Sequence, residues 1–259
     1  MRGYEDPARW DAAAAHYGTT AHPFTARYAA AALARVAPGP GQRVLDVAAG
    51  TGALALTAAR TGAEVLAIDF SPGMVARIAA AGLPNVAARV MDGQALTLPD
   101  GAFDAVFSIF GVILFPDWRK GLAEMARVTR PGGHGAVATW QRGGAATFLL
   151  LREVRRRLFP QIELAALPDA VTVLSDPAVF AGELVAAGYR DPCINVVTHD
   201  YALDVAALAD PEALFGLSQD WAGLDEAQKA QCIAEMRRMA EGRPVLPVPS
   251  TALIGVARR

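Results

Sequence analysis

With 259 residues, 53% of them apolar, the chain has enough hydrophobic material for one large α/β core. Its 24 Lys and Arg nearly balance 26 Asp and Glu without any run of five or six like charges, which argues against a nucleic-acid partner. Only Cys193 and Cys232 are present, far apart and without His or Cys at metal-ligand spacing, so neither disulfides nor a bound metal are expected and a reducing cytoplasm suits the chain.

The first residues mix both charge signs and lack the apolar stretch of a secretion signal. The longest apolar run, Val106 to Phe115, reaches only about half a membrane span, so no transmembrane helix is expected. Residues 8–36, Ala-rich with spaced aromatics, predict two short helices broken near Pro23. VLDVAAG (44–50) is then a buried strand ending in glycine, followed by a helix over about 52–60. VLAIDF (65–70) is a second strand, after which Ser71 and Pro72 supply N-cap and N1 of a helix closed by Gly82. VAARVM (86–91) is the third strand and FDAVFSIFGV (103–112) the fourth. Asp117 caps a helix to about Arg130, Pro131-Gly132-Gly133 stops it, and HGAVATW (134–140) is the fifth strand.

The rhythm breaks at 141–175, which carries a basic amphipathic helix around 147–158. A helix at 177–187, a strand at 194–203, a helical insertion over 208–240 and a last strand at 250–258 complete the chain. Strands alternating with helices predict a Rossmann-like, mostly parallel sheet of seven strands with helices on both faces, the last strand antiparallel. The expected organisation is a single domain over 1–259: an N-terminal cap (1–38), a ligand-binding core (39–140), and lid insertions at 141–175 and 204–248. Ligands belong at the carboxyl ends of the strands.

The most informative local stretch is Asp46-Val47-Ala48-Ala49-Gly50-Thr51-Gly52, where small residues let backbone approach a ligand. Gly50-x-Gly52-x-x-Ala55, with Asp69 at the end of the next strand, also fits a dinucleotide fingerprint. The loop alone therefore leaves NAD and S-adenosylmethionine (SAM) both open. Asp46 suits a cationic amino-acid moiety better than a pyrophosphate, which it would repel. Asp92-Gly93-Gln94 offers a carboxylate acceptor for an adenine amino group, and Ser108-Ile109-Phe110 places backbone and apolar surface over a bound ligand.

Across about 40–140 the sequence resembles the class I SAM-dependent methyltransferases, in the branch of the ubiquinone and menaquinone biosynthesis enzymes. VLDVAAGTG resembles that family's glycine motif, AIDFSPGMV its ribose-binding strand end, MDGQALTLPDGAFDAVFS its adenine-binding region, and EMARVTRPGG its post-motif helix and turn. Ala48 stands where many relatives have Gly. The resemblance implies SAM as cofactor and S-adenosylhomocysteine (SAH) as product. It places backbone at Ala48 and Gly50 on the methionine part, with Ala49, Thr51 and Gly52 in the same loop, Asp69 on the ribose, Asp92 and Gly93 on the adenine, and Phe70 and Met74 on its ring face. Ser108-Ile109-Phe110-Gly111 replaces the Asn/Asp-Pro-Pro-aromatic motif of nucleic-acid amino-methyltransferases, which leaves a small metabolite as acceptor.

A general base near the transferred methyl is useful for hydroxyl, carbon-acid or ammonium acceptors. His22 and His16, in the N-terminal segment, are the candidates; His199 is a further candidate at the acceptor site, whereas His134 falls at the amino end of its strand, the wrong edge of the sheet. Tyr17, Phe24 and Trp118 are candidates for lining the acceptor pocket, with core packing equally open to Trp118. Arg152, Arg155, Arg156 and Arg157 either attract an anionic substrate or form a solvated helix face, the commoner arrangement. The competing readings are an NAD(P)-dependent oxidoreductase and a SAM-binding protein without catalysis. Oligomeric state is not legible.

Overall fold

The computed structural model describes residues 5–18, 21–142 and 147–259, so residues 143–146 of the expected lid and 1–4 and 19–20 of the expected cap lie outside it. Seven strands form one sheet in the order β3-β2-β1-β4-β5-β7-β6. β1 (Arg43–Val47), β2 (Glu64–Asp69), β3 (Val86–Val90), β4 (Phe103–Ile109) and β5 (Thr129–Trp140) pair in parallel. β7 (Val245–Arg258) runs antiparallel to both β5 and β6 (Arg190–Asp204). The expected Rossmann-like sheet is thus found, with its strand order reversing between β1 and β4. Such a reversal opens a crevice at the strands' carboxyl edge.

Local chemistry explains the framework. Four of β1's five residues are buried, as in a strand covered on both faces. Ser71 caps α4 (Pro72–Ala79), its hydroxyl accepting from Met74 N–H at 3.1 Å. Asp117 does the same for α5 (Trp118–Val128) through Lys120 N–H at 3.0 Å. The short α3 (Ala55–Ala59) follows the glycine loop. Two N-terminal helices are present, α1 (Pro7–Tyr17) and α2 (His22–Val36), and Pro23 lies in the first turn of α2, where its missing N–H costs nothing. α2 buries Phe24, Tyr28, Ala29, Ala32 and Leu33 against the sheet core. α1 rests on α4 through Asp11, which accepts from the Ser71 hydroxyl at 2.5 Å and from Gly73 N–H at 2.7 Å. A Cβ at Gly73 would come within 2.9 Å of that carboxylate, so glycine permits the approach.

Three boundaries differ from the sequence reading. β4 stops at Ile109 because Phe110 takes a left-handed conformation, φ 61°, before a 3-10 turn at Val112–Leu114. Pro131-Gly132-Gly133 does not precede β5 but lies inside it, where the register against β4 shifts; a Cβ on Gly133 would sit 2.7 Å from the Asp104 carbonyl. β6 and β7 are longer than expected, pairing from Arg190↔Arg258 to Asp204↔Val245, while β5 pairs with β7 no further than Ala252. Pro247 and Pro249 fall in the overhang, on a strand with no β5 neighbour to miss their N–H groups.

The overhang supports a second apolar cluster. Leu150, Leu151 and Val154 of α6 (Thr147–Leu158) pack with Leu246 and Val248 and with Trp221 of α10 (Gln219–Ala222) and Cys232 and Met236 of α11 (Glu226–Met239). α7 (Asp169–Val173), α8 (Pro177–Ala186) and α9 (Pro211–Phe215) complete the helices.

Candidate active site

The carboxyl ends of β1, β2, β3 and β4 bring the predicted cofactor residues to one edge. The loop after β1 turns on left-handed residues: Ala48 at φ 54°, Gly50 at 54° and Gly52 at 88°. At Ala48 that conformation carries a penalty of about 1–2 kcal/mol, the reason glycine is the easier residue there. Hydrogen bonds from Ala49 N–H to the Ile68 carbonyl and from Gly52 N–H to the Ala49 carbonyl, both 2.9 Å, hold the turn.

Two carboxylates lie beneath it. Asp46, 2% exposed, accepts from Ala55 N–H at 3.0 Å, and burial pushes its carboxyl up to about 8. Asp69 accepts from Gly50 N–H at 2.8 Å and Ser71 N–H at 3.0 Å; burial raises it too, while those backbone bonds hold it down. A desolvated acid bordering a small space is stabilised by an arriving cation. An amino-acid ammonium and ribose hydroxyls, both donors, require acceptors of this kind, and the pair fits SAM.

At the β3 end, Asp92 is exposed and accepts from the Gln94 backbone N–H at 2.8 Å, while Gln94 Oε1 accepts from Asp117 N–H at 2.8 Å. Gly93 is buried beneath Phe115, whose ring would lie 2.5 Å from any Cβ. Ser108 is fully buried and its hydroxyl donates to the Val47 carbonyl and accepts from Val112 N–H, stitching β4 to β1. Ile109 borders the loop space. Phe70 is half-buried, and Met74 is packed into α4's inner face with 1% exposure.

Tyr17 at the end of α1 faces Gly50 across a space of about 30 Å³, bordered also by Thr25, Asp46 and Ile109. Burial and the nearby Asp69 push the Tyr17 phenol up to about 12, so it stays protonated at neutral pH. Beyond Tyr17 and Thr25 opens a mainly apolar cavity of about 730 Å³, enclosed by α1, α2, the end of β4, α6 and the α9–α10 segment. Phe24, Phe110, Trp140 and Tyr201 give it an aromatic wall. Phe110 and Trp140 stack at 4.0 Å with 7° between planes, and Phe24 lies parallel to Trp140 at 6.1 Å. The left-handed backbone at Phe110 is what turns that ring toward Trp140; strain of this kind gathers at functional sites.

The other candidates are dispersed. His16 borders the large cavity. His22 Nδ1 is hydrogen-bonded to Thr51 Oγ1 at 2.8 Å, and burial lowers the imidazole, keeping it neutral at pH 7. Trp118 lies outside the residues bordering the cavity: it is 3% exposed, and its Nε1 donates to Asp169 at 3.1 Å. His199, on β6, meets Tyr28 edge-on at 4.9 Å and does not border the cavity. His134 sits at the other edge, paired with Arg258. The sequence reading missed Thr25, Trp140 and Tyr201 as cavity residues, while Phe110, expected at the strand end over a bound ligand, borders the cavity.

Comparison with known proteins identifies the family. Residues 44–133 match a methyltransferase domain family. The demethylmenaquinone methyltransferase of Corynebacterium glutamicum (strain R) is 41% identical over 163 residues, covering 59% of this chain and 69% of the relative. The chain belongs to the class I SAM-dependent methyltransferases. Within them it is similar to the demethylmenaquinone methyltransferases. Similar folds include the YcgJ protein of Bacillus subtilis, with TM-score 0.59 and 18% identity, covering 89% of this chain and 97% of that one. Another is phosphoethanolamine N-methyltransferase 2 of Haemonchus contortus with SAH bound, with TM-score 0.55 and 17% identity, covering 90% of this chain and 52% of that one. This methyltransferase uses SAM and methylates a small molecule. The nicotinamide reading of the glycine loop is set aside with that result. Among the described residues no helix is long and apolar enough to cross a membrane.

Proposed function

We propose that the methyltransferase acts on oxygen, nitrogen or carbon of a planar, largely apolar metabolite seated in the 730 Å³ cavity. The observation that carries this reading is the junction of the two spaces: Tyr17 and Thr25 border both the glycine loop and the aromatic-walled cavity. An acceptor there lies next to the cofactor edge with its ring against Phe24, Phe110 and Trp140. A hydroquinone-type ring like that of the demethylmenaquinone relatives has suitable shape, and so have phenolic polyketides.

When bound, SAM supplies a methyl group activated by its sulfonium. The chain's residues then align and dehydrate. Asp46 and Asp69 face the cationic and ribose parts, the Asp92-Gly93-Gln94 turn the adenine, with Phe70 beside it. With about 30 Å³ between Tyr17 and the loop, cofactor entry requires Tyr17 and α1 to shift outward. The aromatic wall excludes water and holds the acceptor atom in line, which supplies much of the acceleration in such transfers. His16, on the cavity side, is placed to take a proton from the acceptor; His22 acts as a positioning residue for Thr51. The same reading places the enzyme in the cytoplasm, without a nucleic-acid partner.

Methyl transfer from labelled SAM to a panel of naphthols, hydroquinones and phenolic acids tests the reading. Ala213→Trp, which narrows the cavity from α9, is expected to lower turnover of any acceptor found while SAH affinity holds. Undiminished turnover in that variant would remove the cavity from consideration.

A further inference from the structure

If the large cavity is the acceptor site, its lining carries a charge that its neighbours leave unbalanced. The arginines of α6 divide between two environments. Arg156 and Arg157 stand outward, paired with Glu153 and Glu235. Arg152 and Arg155 turn inward, their side chains 13% and 4% exposed, so the solvated face expected from sequence covers only half of the set. Both inner arginines bind Asp220, itself 4% exposed. Arg152 Nη1 donates to Asp220 Oδ2, and Arg155 Nη1 to Oδ1 at 2.6 Å; Ala165 N–H donates to Oδ1 at 2.8 Å. Two guanidiniums thus share one carboxylate, leaving one excess positive charge in a buried place. Arg155 Nε, moreover, is buried without a hydrogen-bond partner among the described residues. The Ala165 and Glu163 carbonyls, accepting from Arg152 Nη1 at 2.8 Å and Arg155 Nη2 at 3.0 Å, offset only part of it, and a buried charge short of a counter-charge is disfavoured.

Arg152 and Asp220 border the cavity, as do Arg9, Asp210 and Glu212. The two further carboxylates do not neutralise the cluster. Both are exposed, where water and salt screen them, and both are engaged: Asp210 caps α9 through Ala213 N–H, and Glu212 accepts from Trp221 Nε1 and Lys229 Nζ. Arg9 donates to the Gly216 carbonyl.

We propose that the acceptor carries an anionic group, a carboxylate or its equivalent, which pairs with Arg152 and supplies the missing counter-charge. Its ring lies on the Phe110–Trp140 wall and its reacting atom points to Tyr17. Arginine's rigid fork suits a carboxylate at that position, and the ion pair selects acidic acceptors over neutral ones of equal size.

Two dyes separate the anion from the ring. 1-Anilinonaphthalene-8-sulfonate and N-phenyl-1-naphthylamine share an aromatic skeleton and differ by the sulfonate, so each is titrated by fluorescence into the intact protein. The sulfonate dye is expected to bind at least about tenfold more tightly, the effect of one charge-assisted hydrogen bond in a dry site. Arg152→Met abolishes that difference and leaves the neutral dye unchanged, whereas Arg156→Met on the outer face alters neither. Arg152→Lys, which retains the charge should the methionine variant fail to fold, keeps only part of the preference. Ala213→Trp weakens both dyes. Equal affinities, or equal effects of Arg152→Met and Arg156→Met, overturn the anion assignment and leave the cavity standing. Failure of both dyes to bind overturns the acceptor-cavity reading itself.

Discussion

Asp46→Asn separates what the carboxylate under the glycine loop does for the ligand from what it does to the fold. Burial raises Asp46 from the ordinary 3.8 to about 8. Below pH 4 folded and unfolded chains both hold the proton and the group has no effect. Between pH 4 and 8 the unfolded chain releases it while the folded chain keeps it, so stability falls as pH rises and levels off above 8. At about 1.4 kcal/mol per pH unit, the whole interval amounts to up to about 6 kcal/mol. Asparagine keeps an acceptor for Ala55 N–H and does not titrate. Urea unfolding of both proteins at pH 5, 6, 7 and 8 is the assay, because His22 and His134, which pull the other way as burial lowers them, cancel in the difference. The variant's advantage is expected to grow by about 1.4 kcal/mol per pH unit while its SAH affinity drops. Parallel stability curves would refute the account of a desolvated acid. In the wild type, SAH binding at pH 7 is also expected to release a proton, seen as a dependence of the calorimetric enthalpy on buffer.

Asp69→Ala leaves Gly50 N–H and Ser71 N–H without their acceptor, so a loss of about 1–3 kcal/mol for each group left unsatisfied is expected together with at least tenfold weaker SAH binding. Unchanged affinity in calorimetry would disprove the ribose assignment. Gly135→Ala brings a Cβ to 2.3 Å from Tyr189, far from the carboxyl edge; a stability loss of about 1–3 kcal/mol with normal SAH affinity is expected, and a normal melting temperature would contradict it. Trp118→Phe removes the bond to Asp169 and about 1 kcal/mol of stability without changing turnover, and a fall in turnover at constant stability would put Trp118 back in the acceptor site.

Much of the cofactor edge was legible because its signals are local. Strands with buried runs, the caps Ser71 and Asp117, and the glycine loop each follow from a few consecutive residues. The acceptor side was legible only in part: Tyr17 and Phe24, named from the sequence, border the cavity, but the assembly of its wall was hidden. Phe24, Phe110, Trp140 and Tyr201 come from four separate elements and meet only through the sheet's order. The partition of the α6 arginines was hidden likewise, since Asp220 lies 65 and 68 residues away from Arg155 and Arg152. The β6–β7 overhang lay outside the expected strands at 194–203 and 250–258, and Pro247 and Pro249 are admissible in it because pairing with β5 ends at Ala252.

The docking of α1 ties two equilibria together. The helix presents Tyr17 to the glycine loop and, with the same turns, presents Ala8, Trp10, Ala13 and His16 to the acceptor cavity. Asp11 anchors it to α4 at the capping Ser71 and at Gly73, just past the carboxyl end of β2. A ligand that resets α1 on one side therefore reshapes the wall on the other, and thermodynamic linkage makes the effect mutual: whatever factor SAH adds to acceptor affinity, the acceptor returns to SAH. Dye titrations with and without SAH read that factor directly, and a value of one would show that the helix does not couple the two sites.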